Sequence, residues 1–326
     1  MRQKRIGNSG LNVSELCLGC MTFGEPGRGG HSWTLALDDA RPIIARAIEA
    51  GITFFDTANV YSDGSSEEIL GEVLWAHARR DEIVLATKVH GELTGEAHMK
   101  GLSRRAIMFN IDRSLQRLKT DHVDLYQTHR WDHDTPIAET MEAMHDVVKA
   151  GKARYIGTSS MFAWQFAKAQ EVARAHGWTP FISMQNHVNL IYREEEREMI
   201  PLCTDQSVGL IPWSPMARGR LARSGDAQTA RSGTDQYQKT LYTRSEEADR
   251  AVIAAVEAVA KDVSRPMAQV ALAWVRQKQG VAAPIIGASK VSQLDEAVAG
   301  LDLVLTAEQI AGLEAPYVPH VVAGHG

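Results

Sequence analysis

Cysteine is scarce in this chain: three residues in 326, Cys17, Cys20 and Cys203, too few for a disulfide framework. Cys17-Leu18-Gly19-Cys20 has C-x-x-C spacing, but a zinc site wants a second pair and none exists. A thioredoxin-type pair sits where a strand turns into a helix. This one ends the run Val13 to Gly19 and leads into a turn-rich segment, so it reads as two strand-end cysteines. No apolar run approaches the roughly 20 residues of a membrane span. Met1 to Asn8 is positively charged with no apolar stretch behind it, so a signal peptide is not expected. Neither sign of charge dominates. Lys and Arg number 35 against 40 Asp and Glu, a net of −5, and nothing marks a nucleic-acid or anionic-membrane surface. Also missing is G-x-G-x-x-G between a strand and a helix, as a Rossmann domain would need. Gly27-Arg28-Gly29-Gly30 follows a turn and opens no helix, and is expected to be loop. These absences leave a soluble, cytoplasmic protein of ordinary globular composition.

What is present is an alternation. A hairpin over 3–13 comes first, Lys4-Arg5-Ile6 and Leu11-Asn12-Val13 around the turn Gly7-Asn8-Ser9-Gly10. Strand-like runs then end near Gly19, Asp56, Lys88, His129, Ser159, Gln185, Trp213 and Gly287. Helix-like stretches lie at 40–50, 67–79, 103–118, 137–150, 161–176, 194–206, 246–279 and 291–300. Eight strand–helix alternations in a chain of this length predict an α/β fold of one domain, 1–326, a (β/α)8 TIM barrel with an N-terminal β-hairpin. The rhythm breaks from Ser214 to about Thr243, a long polar loop after the seventh strand bearing Arg218, Arg220, Arg223 and Arg231.

The chain centres on Gly51-Ile52-Thr53-Phe54-Phe55-Asp56-Thr57-Ala58-Asn59-Val60-Tyr61. Apolar and β-branched residues run into Asp56 as in a buried parallel strand, and Ser65-Ser66-Glu67-Glu68 then opens a helix. Taken singly, Asp56 reads as a turn cap, Tyr61 as a loop aromatic, Lys88 as a snorkelling strand end and His129 as a core histidine. In a TIM barrel, however, strand C-termini converge on one mouth where chemistry happens. Lys88 near Tyr61 is expected to lower the phenol's pKa from about 10, with Asp56 holding the lysine in place. His129 could then donate a hydrogen bond to a carbonyl oxygen. Reducing a ketone or aldehyde by hydride transfer needs such a set, because something must polarise the oxygen and something must protonate the alkoxide.

Here the sequence resembles the aldo-keto reductases, over almost its whole length. Gly51 to Ala58 with Tyr61, Glu68 and Gly71 matches the family signature, Ala86-Thr87-Lys88 its lysine strand, and Asp121 to His129 its histidine strand. The resemblance includes a bacterial branch related to channel β-subunit-like reductases. It implies Tyr61 as proton donor, Asp56 and Lys88 as the residues that tune it, and His129 as the residue that orients the carbonyl. It also implies NADP(H) lying across the barrel mouth. Cys20 and Met21 after the first strand, and Asp56 itself, fall among the implied cofactor contacts. Ser159 and Ser160, the latter where many members carry Asn, would meet the nicotinamide carboxamide together with Gln185. Trp213 would stack on the nicotinamide, or else pack the barrel rim, and Ser214, Pro215, Met216, Gly219 and Arg223 belong to the segment after it. That arginine-bearing loop either folds over the pyrophosphate or is a solvated charged loop. Gly287, Ser289, Lys290, Gln293 and Glu296 resemble the segment around the adenosine and its 2′-phosphate, at a helix start suited to an anion. Members that strongly prefer NADP(H) often carry Lys in place of Gly287, Arg in place of Gln293 and Asn in place of Ala297, which leaves NAD(H) open.

Trp33, Tyr61, His129 and Trp131 are the expected substrate contacts, with loops 20–34, 90–100 and 217–243 shaping the pocket. Tyr317-Val318-Pro319-His320 either closes one side of the mouth or is disordered. A barrel metallohydrolase built on Asp56, His129, Asp132 and His133 ranks low, because no H-x-H or second histidine pair accompanies them. No metal is expected. The remaining alternative is a nicotinamide-binding, redox-sensing regulatory subunit with little turnover. The leading expectation is NADPH-dependent, reversible carbonyl reduction on a small-molecule substrate, with a homo-oligomer left open.

Overall fold

The N-terminal hairpin pairs β1 (Gln3–Arg5) antiparallel with β2 (Asn12–Ser14), Gln3 opposite Ser14 and Arg5 opposite Asn12. The protein is described by a computed structural model over residues 1–29, 32–224, 236–242 and 246–324. Arg231, within the expected seventh loop, and Gly30 lie outside the described residues.

Eight parallel strands follow: β3 (Cys17–Gly19), β4 (Phe54–Asp56), β5 (Val84–Val89), β6 (Val123–Thr128), β7 (Ala153–Ser159), β8 (Ser183–Gln185), β9 (Gly209–Leu210) and β10 (Ile285–Ile286). Their spatial order is β10-β3-β4-β5-β6-β7-β8-β9, sequential except that the last strand returns beside the first. The ring closes through parallel bridges of Leu210 with Val281 and Trp213 with Ile285. This is the expected (β/α)8 barrel. β9 is shorter than the run toward Trp213 suggested. Pro212 has no N–H to give the ladder, although its carbonyl still accepts from the Ile285 amide at 2.8 Å.

The helices α1 (Leu37–Glu49), α2 (Ser65–His77), α3 (Arg104–Leu118), α4 (Ile137–Lys149), α5 (Ala163–His176) and α6 (Met199–Asp205) each link one strand to the next. After β9 come α7 (Gln236–Tyr242), α8 (Glu246–Asp262) and α9 (Met267–Gln277); α10 (Val291–Ala299) and α11 (Ala307–Glu314) follow β10. The run expected as one helix over 246–279 is thus two. Ser264 takes a left-handed φ of 53°, and Pro266 cannot continue a hydrogen-bonded turn from the preceding helix. The 194–206 stretch likewise divides into a short 3-10 turn, Glu194–Glu196, and α6.

Among the described residues three apolar clusters organise the interior. The largest lies between strands and surrounding helices, and a second sits under α8, α9 and α11. In the third, Ile6, Leu11 and Val13 of the hairpin pack against Cys17, Phe54, Ala86 and Leu125 of the strands. The hairpin therefore plugs the N-terminal end of the barrel, and the strand C-termini form the opposite, accessible end. All three cysteines are buried and unpaired, and burial pushes the Cys17 and Cys20 thiols up, away from reactive thiolate.

Candidate active site

β4 is buried at each of its three residues, and it carries Asp56, 2% exposed, to the barrel's C-terminal end. The chain then turns: the Tyr61 amide donates to the Ala58 carbonyl at 3.2 Å, and Ser62, Asp63 and Gly64 all take positive φ before α2 starts. That run of left-handed residues leaves Tyr61 half-buried on the rim. β5 supplies Lys88, with no exposed surface. Its Nζ donates to Asp56 Oδ2 at 2.6 Å, to the Thr57 carbonyl at 2.8 Å and to Tyr61 Oη at 3.1 Å. His129 stands one residue past β6, its amide held by the Val89 carbonyl at 2.9 Å. Its ring meets that of Tyr61 edge-on, centroids 5.6 Å apart. Asp56, Tyr61, Lys88 and His129 are thus brought together at one point.

Two glutamines complete the arrangement: Gln127, which the sequence reading did not single out, and Gln185, expected there as a cofactor contact. Gln127 Nε2 and Gln185 Nε2 both donate to Asp56 Oδ1 at 2.9 Å, and Gln185 also reaches Gln127 Oε1 at 3.2 Å. Strand parity was the available signal, since residues 125, 127 and 129 share a face. Asp56 is therefore saturated: one oxygen serves lysine, the other two amides.

The electrostatics follow from this packing. Burial alone would push the Lys88 ammonium toward neutrality, but Asp56 and then Tyr61 hold it above its ordinary value. Burial raises the Tyr61 phenol further than Lys88 lowers it, so the net shift is upward. The expected downward shift is thus corrected: the lysine acts in that direction, and removal of the phenol from water outweighs it. His129 is driven well below its ordinary value by burial, by Arg130 and by Lys88, and is a neutral imidazole near pH 7. A protonated phenol, a fixed ammonium and a neutral imidazole can together bind, polarise and protonate an oxygen.

A second group adjoins the first. Ser159 Oγ donates to the Gln185 carbonyl at 2.8 Å, and Ser160, at φ 41°, lies with its hydroxyl 3.3 Å from that of Ser159. Trp213 Nε1 donates to Ser160 Oγ at 3.0 Å. His187 stacks against the Trp213 ring, centroids 4.0 Å and planes 8° apart, and Tyr192 continues the stack at 4.3 Å. His187 was not foreseen, although it falls two residues after Gln185. Ser214 has φ 52°, and its carbonyl accepts from Asn189 Nδ2 at 3.0 Å, which turns the chain through Pro215 and Met216 into a 3-10 run, Ala217–Ala222. Gly219 there is left-handed with open space where a Cβ would stand, and Arg223 is exposed.

The third group gathers where β10 meets β3. Cys20 and Met21 form a 3-10 turn whose Cys20 carbonyl accepts from Ser66 Oγ at 2.7 Å, and Gly287 faces Thr22 of that turn. Ser289 and Lys290 are exposed at the start of α10, with Lys290 at its N-cap. Gln293 Oε1 accepts from the Ser289 amide at 2.8 Å, and Glu296 is exposed on the same helix.

Of the substrate candidates, Trp33 is half-buried in the loop before α1, and Trp131 is half-buried beyond His129, against Trp164 of α5. The metallohydrolase set does not assemble. Asp132 accepts from the Leu102 amide and Thr135 Oγ1, both at 2.7 Å, and His133 is exposed. Among the described residues no helix is long and apolar enough to cross a membrane.

The profile described as the aldo/keto reductase family matches residues 15–317. Versiconal hemiacetal acetate reductase of Aspergillus parasiticus is 44% identical over 342 positions, covering 99% of this chain and 98% of the relative. A Schizosaccharomyces pombe protein, provisionally named an aryl-alcohol dehydrogenase, is 43% identical and covers 98% of this chain and 96% of its own. An Alternaria alternata protein named as an aldo-keto reductase is 40% identical over 99% of this chain and 93% of its own. These relatives are fungal, and the expected placement in a bacterial branch finds no support among them.

Proposed function

The chain belongs to the aldo/keto reductase family, and from that membership we propose that it reversibly reduces an aldehyde or ketone to the alcohol with NADP(H), Tyr61 giving the proton. The observation that carries the reading is the Lys88 ammonium, bonded at once to Asp56 and Tyr61 in a site closed to water on the lysine side.

The residues present suit a nicotinamide dinucleotide. Trp213 offers an aromatic ring beside the hydroxyls of Ser159 and Ser160, chemistry that matches a flat ring bearing a carboxamide. Ser289, Lys290 and the N-terminus of α10 offer hydroxyl, ammonium and backbone donors to a phosphate. Lys290 is the residue we assign to the preference for NADPH over NADH. When bound, the cofactor supplies the hydride. The protein does the rest: His129 donates to the substrate oxygen and fixes its direction, and Tyr61 holds a proton at Oη until the oxygen becomes an alkoxide. Lys88 then stabilises the phenolate, and Asp56, pinned by Gln127 and Gln185, keeps the lysine charged and in place.

The fungal relative named for aryl alcohols makes an aromatic aldehyde the first substrate to try. NADPH binding by fluorescence and NADPH oxidation by absorbance, measured for wild type and Tyr61→Phe, test the reading. Tyr61→Phe is expected to bind NADPH as wild type does and to lose about 10²–10⁴-fold in kcat. A variant that keeps its rate overturns the proton-donor role. Wild type that binds NADPH but reduces no carbonyl supports the redox-sensing regulatory subunit instead.

A further inference from the structure

Trp164 is 59% exposed, the single aromatic among the large hydrophobic residues left in water in the described chain; the others are Met1 and four valines. It lies in the first turn of α5, five residues beyond the end of β7. Its ring meets Trp131 with centroids 5.9 Å and planes 59° apart. Trp131 in turn packs against the core between strands and helices, so it is anchored from behind. β6 and β7 are neighbours, and both tryptophans follow the C-terminal ends of these strands. The pair therefore forms an angled apolar corner on the rim. Trp164 leaves more than half of its surface in water and belongs to none of the three core clusters.

The spacing says what the corner fits. Trp131 is two residues from His129, a reach of roughly 7 Å of chain. The ring of Trp164 stands 5.9 Å from that of Trp131. Both rings stand past the ends of neighbouring strands on the side that carries the site, so a fused-ring carbonyl held at Tyr61 and His129 has more apolar surface to lay against this corner than a single ring has. We propose that Trp164, backed by Trp131, is a specificity-determining residue that receives the outer ring of a polycyclic aromatic carbonyl substrate. The inference rests on the reductase reading given above and adds to it a substrate class and a residue.

Steady-state kinetics of wild type, Trp164→Ala and Trp164→Phe with propanal, benzaldehyde, 2-naphthaldehyde and 9-anthraldehyde provide the test. Trp164→Ala is expected to raise KM for the two fused-ring aldehydes about three- to tenfold, the scale of one aromatic contact. Trp164→Phe falls between, while KM for propanal and benzaldehyde and the Kd for NADPH stay within twofold. Fused-ring KM values within twofold of wild type overturn the proposal and leave the reductase reading intact. So does an equal rise for propanal, which would mark a general disturbance. If wild type reduces no carbonyl, the reductase reading fails, and equilibrium binding of 2-naphthalenemethanol decides the corner separately. Weaker binding by Trp164→Ala upholds it; equal binding, or none by wild type, overturns it.

Discussion

Lys88 carries a charge where water does not reach, and its three donated bonds are what make that tolerable. Lys88→Met therefore leaves the Asp56 carboxylate buried without its counter-charge. The expected loss is about 3–5 kcal/mol, read from urea unfolding; a loss under about 1 kcal/mol would mean the pair is not a buried ion pair. His129 gives a pH signature. Above its ordinary value of about 6.5 neither folded nor unfolded chain holds the proton. Below that value the unfolded chain takes one up while the folded histidine, with its depressed value, does not. Stability attributable to His129 thus falls as the pH drops through 6.5, by at most about 1.4 kcal/mol per pH unit. Urea midpoints at pH 7.5, 6.0 and 5.0 should show a shallower slope for His129→Gln than for wild type. Because the Tyr61 phenol is shifted upward, it keeps its proton through the neutral range. The rate of reduction should accordingly show no loss from phenol ionisation between pH 6 and 9.

At the level of elements, α2 and α3 approach so closely that a Cβ on Gly71 would lie 2.5 Å from the Arg117 carbonyl oxygen and 2.6 Å from the Leu118 carbonyl carbon. Both contacts are backbone, at the end of a helix whose Leu118 carbonyl already accepts from Trp75 Nε1 at 2.8 Å. Neither can step aside. Gly71→Ala is expected to cost about 1–3 kcal/mol by overpacking, measured by thermal unfolding, although Tyr61 lies on the loop just before α2 and its chemistry is untouched. Gly71 was visible in the sequence as part of a signature, and its reason, helix-to-helix contact, was not. The same holds for Pro266. Periodicity ran straight through it, because 3.6-residue spacing continues across a break that changes only the direction of the axis.

Across the whole molecule, strand order and the mouth constellation were legible because Asp56, Lys88 and His129 each end a hydrophobic run, and a barrel converts that position into proximity. What was illegible depends on contacts distant in sequence. α11 is one case: Glu314 meets Lys278 at 2.7 Å and Arg193 at 3.0 Å, pairs that no local pattern announces. The C-terminal segment is another. Tyr317 Oη and the His320 amide both donate to Glu194 Oε1, at 2.7 and 2.8 Å, and the Ala323 amide donates to Tyr192 Oη at 3.0 Å. This path brings Gly324 against the edge of Trp213, 3.3 Å from where a Cβ would stand. The disordered alternative for Tyr317 to His320 is thus set aside. Removing residues 317–326 should cost about 2–4 kcal/mol in lost hydrogen bonds. It should also lower Tm by several degrees and alter the tryptophan emission spectrum.

The threefold anchoring of Asp56 has one more implication, for how such chains drift over time. A carboxylate that ties β4 to β5, β6 and β8 would be retained by selection for foldedness alone, and Lys88, Gln127 and Gln185 with it. Their persistence in a lineage would therefore say little about whether turnover is still being selected. Tyr61 is different: it sits half-buried at the rim, and its hydroxyl receives a single bond from Lys88. A phenylalanine there would fold as well. On the proton-donor role proposed for Tyr61, the hydroxyl at that one position is the mark by which a working reductase among the descendants of this barrel can be told from its silent copy.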